Sequence, residues 1–143
     1  MLLSITYLHR MRCIMNIFFI ELLNLQPSQL YISKDKCLRI QRWFNPTNLS
    51  NFEPIPIKQL GDKIIFTDGH TRAYMAYQAG LCKLPVYWES DDLDWVFYQK
   101  CVEACEEEEI YTIADLSGRV VDEVNYTLLW RNWCEALARS LEE

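Results

Sequence analysis

At 143 residues and a net charge of −6, the chain is long enough for one domain with a core and too short for two comfortable ones. Apolar residues make up 50% and aromatics 13%, which excludes the low-hydrophobicity, high-charge regime of disordered chains. The charge is uneven: residues 1–90 carry ten Lys or Arg against six Asp or Glu (+4), residues 91–143 four against fourteen (−10), so the first part suits an anion and the acidic second part makes DNA or RNA a poor primary partner.

Residues 1–15 look like an apolar leader, but His9, Arg10 and Arg12 interrupt it, Glu21 sits in the next apolar run, and no small-residue cleavage site follows. The uninterrupted apolar stretch falls far short of the ~20 residues of a membrane span. We read 1–15 as a poorly structured extension, with Met11 and Met15 as alternative starts, and expect no membrane segment. The six cysteines, at 13, 37, 82, 101, 105 and 134, show no spacing of a disulfide framework or zinc ribbon, which suits a reduced, cytoplasmic protein without a metal site.

The run NIFFIEL (16–22) reads as a strand. LQPSQLYIS follows as a turn, and its Ser33 is placed to cap a helix. In KDKCLRIQRWF the apolar Cys37, Ile40 and Phe44 recur at helical spacing and Lys36, Arg39 and Arg42 fall elsewhere, which predicts an amphipathic helix with a basic face. The stretch 45–54 is loop-like, and its Phe52 is a candidate to close over a base or simply to anchor the loop. PIKQL and KIIFTD, separated by Gly61 and Asp62, predict a β-hairpin. His70 to Ala79 reads as a helix ended by Gly80, and LPVYW (84–88) as the next strand.

Past Trp88 two acidic helices are expected. The first, about 92–108, carries Leu93, Phe97, Cys101 and Cys105 on one stripe; the second, about 122–141, carries Leu129, Trp133, Leu137 and Leu141. Cys101 and Cys105, four apart with no histidine near, suit core packing better than metal ligation. The tryptophans at 88, 95, 130 and 133 suit an interface between tail and body. The tail is a candidate to bind a protein partner or to dock on the basic helix as a gate.

The richest local chemistry is Asp68-Gly69-His70-Thr71-Arg72, a strand-to-helix turn. The first N–H groups of a helix lack internal acceptors and sit at the positive end of its dipole, so such a turn is a ready anion site. Gly69 lets the backbone approach the anion, Arg72 supplies a cationic fork, and His70 and Thr71 can each donate a hydrogen bond. The plainer alternative is a helix N-capped by Asp68, with Arg72 paired to an acid such as Glu53 or Glu89.

Residues 20–88 also resemble the domain shared by ParB partition proteins, sulfiredoxins and a free serine kinase of archaea. The resemblance rests on Pro27-Ser28-x-Leu30, Lys34, Pro54-Ile55-x-Ile57, the G-x-x-R turn (Gly69, Arg72), Ala79-Gly80-Leu81 and Leu84-Pro85-Val86. The turn is closest to the kinase-like variant. That resemblance implies an α+β fold, a ParB/sulfiredoxin-like mixed sheet with helices over residues 16–90, followed by an acidic C-terminal helical extension over 91–143. It implies that Gly69, His70, Thr71 and Arg72 hold the phosphates of ATP, ADP or CTP, with Lys34 reaching the nucleotide from the other side. Asp68 would orient His70 or hold a magnesium ion through water; Asp68 and His70 are the candidate catalytic pair.

Three departures narrow the activity. His70 stands where sulfiredoxins have their cysteine, and an acidic tail stands where partition proteins have a DNA-reading helix-turn-helix. Gln29 replaces the glutamate base of the serine kinase and cannot accept a proton, which leaves Glu21 and Glu53 as the nearest substitutes in sequence. The two functions in view are a phosphotransferase acting on a small hydroxyl or acid substrate, and a nucleotide-gated interaction module without chemistry.

Overall fold

The computed structural model describes residues 16–143, so the reading of 1–15 as an extension, with His9 and Cys13, lies outside the described residues. Apolar β-forming runs give strands β1 (Phe18–Glu21), β3 (Ile55–Leu60), β4 (Lys63–Phe66) and β5 (Lys83–Trp88), and two short strands, β2 (Ile32–Ser33) and β6 (Val120–Val121), stand apart. Helices are α1 (Lys34–Gln41), α2 (His70–Gln78), α3 (Trp95–Glu107), α4 (Glu123–Tyr126) and α5 (Asn132–Leu141), the last two joined by a π-helical turn, Thr127–Arg131. The architecture is α+β. Four strands form a mixed sheet in the order β1-β5-β3-β4, with β5 parallel to β3 and the other pairs antiparallel.

Local chemistry sets most of these boundaries. Ser33 caps α1, its Oγ accepting from the Lys36 N–H at 3.2 Å. The β3–β4 hairpin closes with Leu60 opposite Lys63, around a turn in which Gly61 takes φ +60°. At the end of α2, Leu81 N–H donates to Ala76 O and Gly80 N–H to Tyr77 O, both at 3.0 Å, with Gly80 at φ +88°. That pair of bonds is the Schellman stop.

Ile55, Ile57, Leu84 and Val86 on the two central strands are wholly buried, and the same core takes in Cys101, Cys105, Ile110, Ile113, Leu116, Tyr126 and Trp130. The change at residue 90 is therefore one of composition, and the C-terminal segment completes the core of the N-terminal one. Three kinds of contact fix it there. β6 pairs in parallel with β2. Buried Gln26 donates from Nε2 to Ile110 O at 2.8 Å. Arg119 donates from Nε to Leu30 O at 2.6 Å, with its guanidinium 4.3 Å from the centre of the Tyr31 ring.

The stripe expected on the first acidic helix is found from Phe97 on, with Phe97 partly buried and Cys101 and Cys105 fully so, whereas Leu93 precedes the helix, which Asp94 caps. On the second, Trp133 and Leu137 pack against the core and Leu141 is half-buried, but Leu129 is 41% exposed, and Trp130 and Tyr126 are buried in its place. The wider π-helical turn shifts the face that meets the core at that point. Phe52 is 5% exposed and packs on Phe44, ring centroids 5.8 Å apart, so it anchors its loop. No helix among the described residues is long and apolar enough to cross a membrane.

Candidate functional site: a cleft at the first turn of α2

The strand-to-helix turn is held from below by a buried histidine. Gln26 runs alongside β4, its N–H donating to Ile64 O and its carbonyl accepting from Phe66 N–H. That places the next residues over the start of α2. There the Ser28 N–H donates to His70 Nε2 at 2.9 Å, and Ser28 Oγ donates to Phe66 O at 2.7 Å. A ring nitrogen that accepts from a backbone amide carries no proton, so His70 is neutral with its proton on Nδ1. Burial lowers its pKa from 6.5 to about 4, with Asp68 pulling the other way and Lys36 adding slightly. Sequence reasoning gave His70 a donor's role toward an anion and Asp68 the task of orienting it or of holding magnesium; with Nε2 occupied by Ser28, Nδ1 is the one ring nitrogen left to donate.

Asp68 does not cap α2. Its Oδ1 accepts from the Gly69 N–H at 2.8 Å, and the residue at the cap position is Gly69, at φ +78°. No side chain caps the helix, so no side chain competes for its first N–H groups, as an anion site requires. Gly69 is doubly required: its φ is left-handed, and a Cβ there would lie 2.8 Å from Arg72 Nη2. Arg72 is less of a fork than its sequence context suggests, because Nη1 donates to Glu53 O at 2.7 Å and to Pro54 O at 3.4 Å. It ties the turn to the loop before β3.

Over this turn lies a cleft of about 360 Å³ whose wall includes Gly69, His70, Thr71 and Arg72 together with Lys36 and Arg39 from α1. Thr71 is buried in that wall. Lys34, the expected second cation, is exposed and is not part of the wall. The reason is helical geometry. Lys36, Arg39, Ile40 and Trp43 are spaced i, i+3, i+4, i+7 and share the face that lines the cleft. Lys34 sits two residues before Lys36, about 200° round the helix. Of the suggested substitutes for the missing glutamate, Glu53 lines the cleft, as does Asp68, whereas Glu21 lies on β1 away from it.

Gln29 borders the same cleft and reaches toward the C-terminal segment, its Nε2 donating to Tyr31 O at 2.8 Å and to Tyr126 Oη at 3.1 Å. Lys36 Nζ lies 5.3 Å from the centre of the Tyr126 ring. A second, smaller cavity of about 140 Å³ lies between the turn and the C-terminal helices. It shares Gln29, Asp68 and His70 with the cleft and is closed by Phe97, Tyr98 and Trp130, with Cys101 in its wall. Trp130, expected at an interface between tail and body, meets the body here, whereas nothing in the sequence pattern marked Tyr98 as a neighbour of Asp68.

The cysteine pair on α3 is structural. Burial raises both thiols, that of Cys105 up to about 12, and Cys105 Sγ donates to Gln29 O at 3.6 Å. Among the described residues no group of His, Cys, Asp and Glu is arranged to hold a metal ion by itself.

No family model matches the chain, and no curated protein matches it. Among solved structures the chain is similar to protein Atu1540 from Agrobacterium tumefaciens, with 13% identity and a TM-score of 0.45, over 71% of this chain and 61% of that one. The match thus takes in less than two thirds of the length of that protein.

Proposed function

We propose that the chain binds a nucleotide by its phosphates in the cleft between α1 and the first turn of α2, and passes the terminal phosphoryl group to a small hydroxyl or acid acceptor. The observation that carries this reading is the meeting of two cations, Lys36 and Arg39, with a helix start that no side chain caps. Phosphate oxygens fit both, since backbone N–H groups and charged side chains give the stronger class of hydrogen bond. The resemblance of residues 20–88 to the ParB and sulfiredoxin group, and so to a mixed sheet of that type, supports the same reading.

Within it, Gly69, His70, Thr71 and Arg72 form the phosphate wall and Lys36 and Arg39 the opposing one, in place of Lys34. Trp43, on the cleft wall and 39% exposed, is the aromatic suited to stack on a base. Asp68 and Glu53 are the cleft carboxylates, and a magnesium ion arriving with the phosphates would be held there through water and would neutralise their charge. Since Gln29 cannot take a proton, Asp68 is the general base. Transfer of this kind depends mainly on positioning and charge. The free state of Cys37, Cys82, Cys101, Cys105 and Cys134 suits a cytoplasmic setting.

The test is calorimetric titration with ATP, ADP and CTP, with and without magnesium. One of them binds the wild type, and Lys36→Ala and Arg39→Ala each weaken it about tenfold or more, as loss of a charged hydrogen bond of roughly 1.5–3 kcal/mol requires. Lys34→Ala leaves binding unchanged. If no nucleotide binds, or if Lys34→Ala alone weakens it, the assignment fails.

A second reading, a nucleotide-gated module whose tail reports the bound state to a protein partner, is favoured by the Gln29–Tyr126 hydrogen bond, which joins the cleft wall to the C-terminal helices. Its signature is a nucleotide-dependent change in protease cleavage around Tyr126 without turnover.

A further inference from the structure

The smaller cavity behind Asp68 has walls of a different character from the cleft. At about 140 Å³ it is close to the ~150 Å³ cavity that accepts a benzene-sized guest, so it suits a ligand of about six heavy atoms. Phe97, Cys101 and Trp130 give it apolar walls, and the polar part of the wall comes from Ser28, Gln29, Thr67, Asp68, His70 and Tyr98. Tyr98 Oη donates its proton to Thr67 O at 3.0 Å, which leaves the oxygen as an acceptor. No Lys or Arg is in the wall, and a carboxylate is. A ligand carboxylate would face Asp68 without a counter-charge, at the cost of like-charge repulsion in a half-enclosed space.

The geometry points to this cavity as the acceptor site, selective for a short alcohol that is uncharged or cationic and carries no carboxylate, with its hydroxyl at Asp68. The inference rests on the cleft being the nucleotide site, and it narrows the acceptor class from hydroxyl or acid to hydroxyl alone. Asp68 borders both cavities. In the transfer, the acceptor oxygen forms a bond to the terminal phosphorus of a nucleoside triphosphate and the bond from that phosphorus to the bridging oxygen breaks. The hydroxyl proton passes to the Asp68 carboxylate, and the electron pair leaves with the nucleoside diphosphate.

The cavity is tested without nucleotide, so that its failure and that of the cleft are separable. The indole N–H resonances of the full chain are followed by NMR during titration with ethanolamine, glycerol and glycolate. Ethanolamine and glycerol are expected to move the Trp130 signal in a saturable way, and glycolate at equal concentration to leave it unmoved. Phe97→Trp, which narrows the cavity, weakens the response at least tenfold while the ATP affinity measured separately stays within twofold. Cys101→Met narrows it from another wall and gives the same result. An unmoved Trp130 signal with every probe, saturable binding of glycolate as tight as that of glycerol, or retention of ethanolamine and glycerol binding in folded narrowed variants would each overturn the proposal. Failure of ATP to bind while the alcohols do bind would instead remove the cleft assignment and with it the acceptor role, and leave only a site for small alcohols.

Discussion

His70 makes the stability of this fold depend on pH in a way that can be worked from one contact. Its Nε2 accepts the Ser28 N–H at 2.9 Å in a site where the side chain is buried, and its pKa falls from 6.5 to about 4. A proton bound by the unfolded chain at pH 5 is refused by the folded one, so the unfolded state binds more protons throughout the window between the two values. Stability from this group is thus fully present above pH 6.5 and is lost as pH falls toward 4. The fall from 6.5 to about 4, at ~1.36 kcal/mol per tenfold change in proton affinity, amounts to ~3 kcal/mol, a large share of the roughly 5–15 kcal/mol typical of a domain. The assay is urea unfolding of the wild type and of His70→Gln from pH 7.5 to 4. Glutamine offers an amide oxygen to Ser28 and does not titrate. Carboxylates and His9 are common to both proteins, so the difference between the two curves isolates His70. That difference should fall by ~3 kcal/mol between pH 7 and pH 4; parallel curves, or an NMR titration placing His70 near 6.5, would refute the buried neutral acceptor.

Ser28→Ala removes the bond to Phe66 O but keeps the amide that holds His70, so it should cost about 1 kcal/mol at pH 7 and leave the pH dependence intact in the same urea series. Gly69→Ala meets both a left-handed φ and Arg72 Nη2. It should destabilise by ~2 kcal/mol or more and weaken nucleotide binding, which denaturation and titration read separately. Trp43→Ala should weaken nucleotide affinity by about 1–3 kcal/mol if the ring stacks on the base, whereas Phe52→Ala should act on the unfolding midpoint through the core. In native protein at pH 8 the exposed Cys82 thiol should react quickly with a thiol reagent, while Cys101 and Cys105 wait for unfolding.

The parts of this molecule legible in its sequence are those with a local cause. Ser33 announces α1 because a serine at that place bonds back to the helix, and Gly61 and Gly80 mark a turn and a stop because each needs a positive φ. The β2–β6 pair was not legible, since two residues pairing with two others nearly ninety positions away leave no periodic trace. The site was half legible. Gly69 stands out, but whether Arg72 is a fork or a tie depends on the carbonyls of Glu53 and Pro54, which come near only through the fold. Likewise Lys36 outranks Lys34 only once α1 has turned one face to the turn, and Tyr98 and Trp130 meet Asp68 because the C-terminal segment folds back into the core.

The central assignment, a phosphate site at the start of α2, is tested most directly by following backbone amide resonances of the full chain during titration with ATP and magnesium. Saturable shifts largest at Gly69, His70, Thr71 and Arg72, accompanied by Lys36 and Arg39 side-chain signals and lost in Lys36→Ala, are the expected result. Shifts that leave those four amides in place, or that centre elsewhere on the surface, would contradict it.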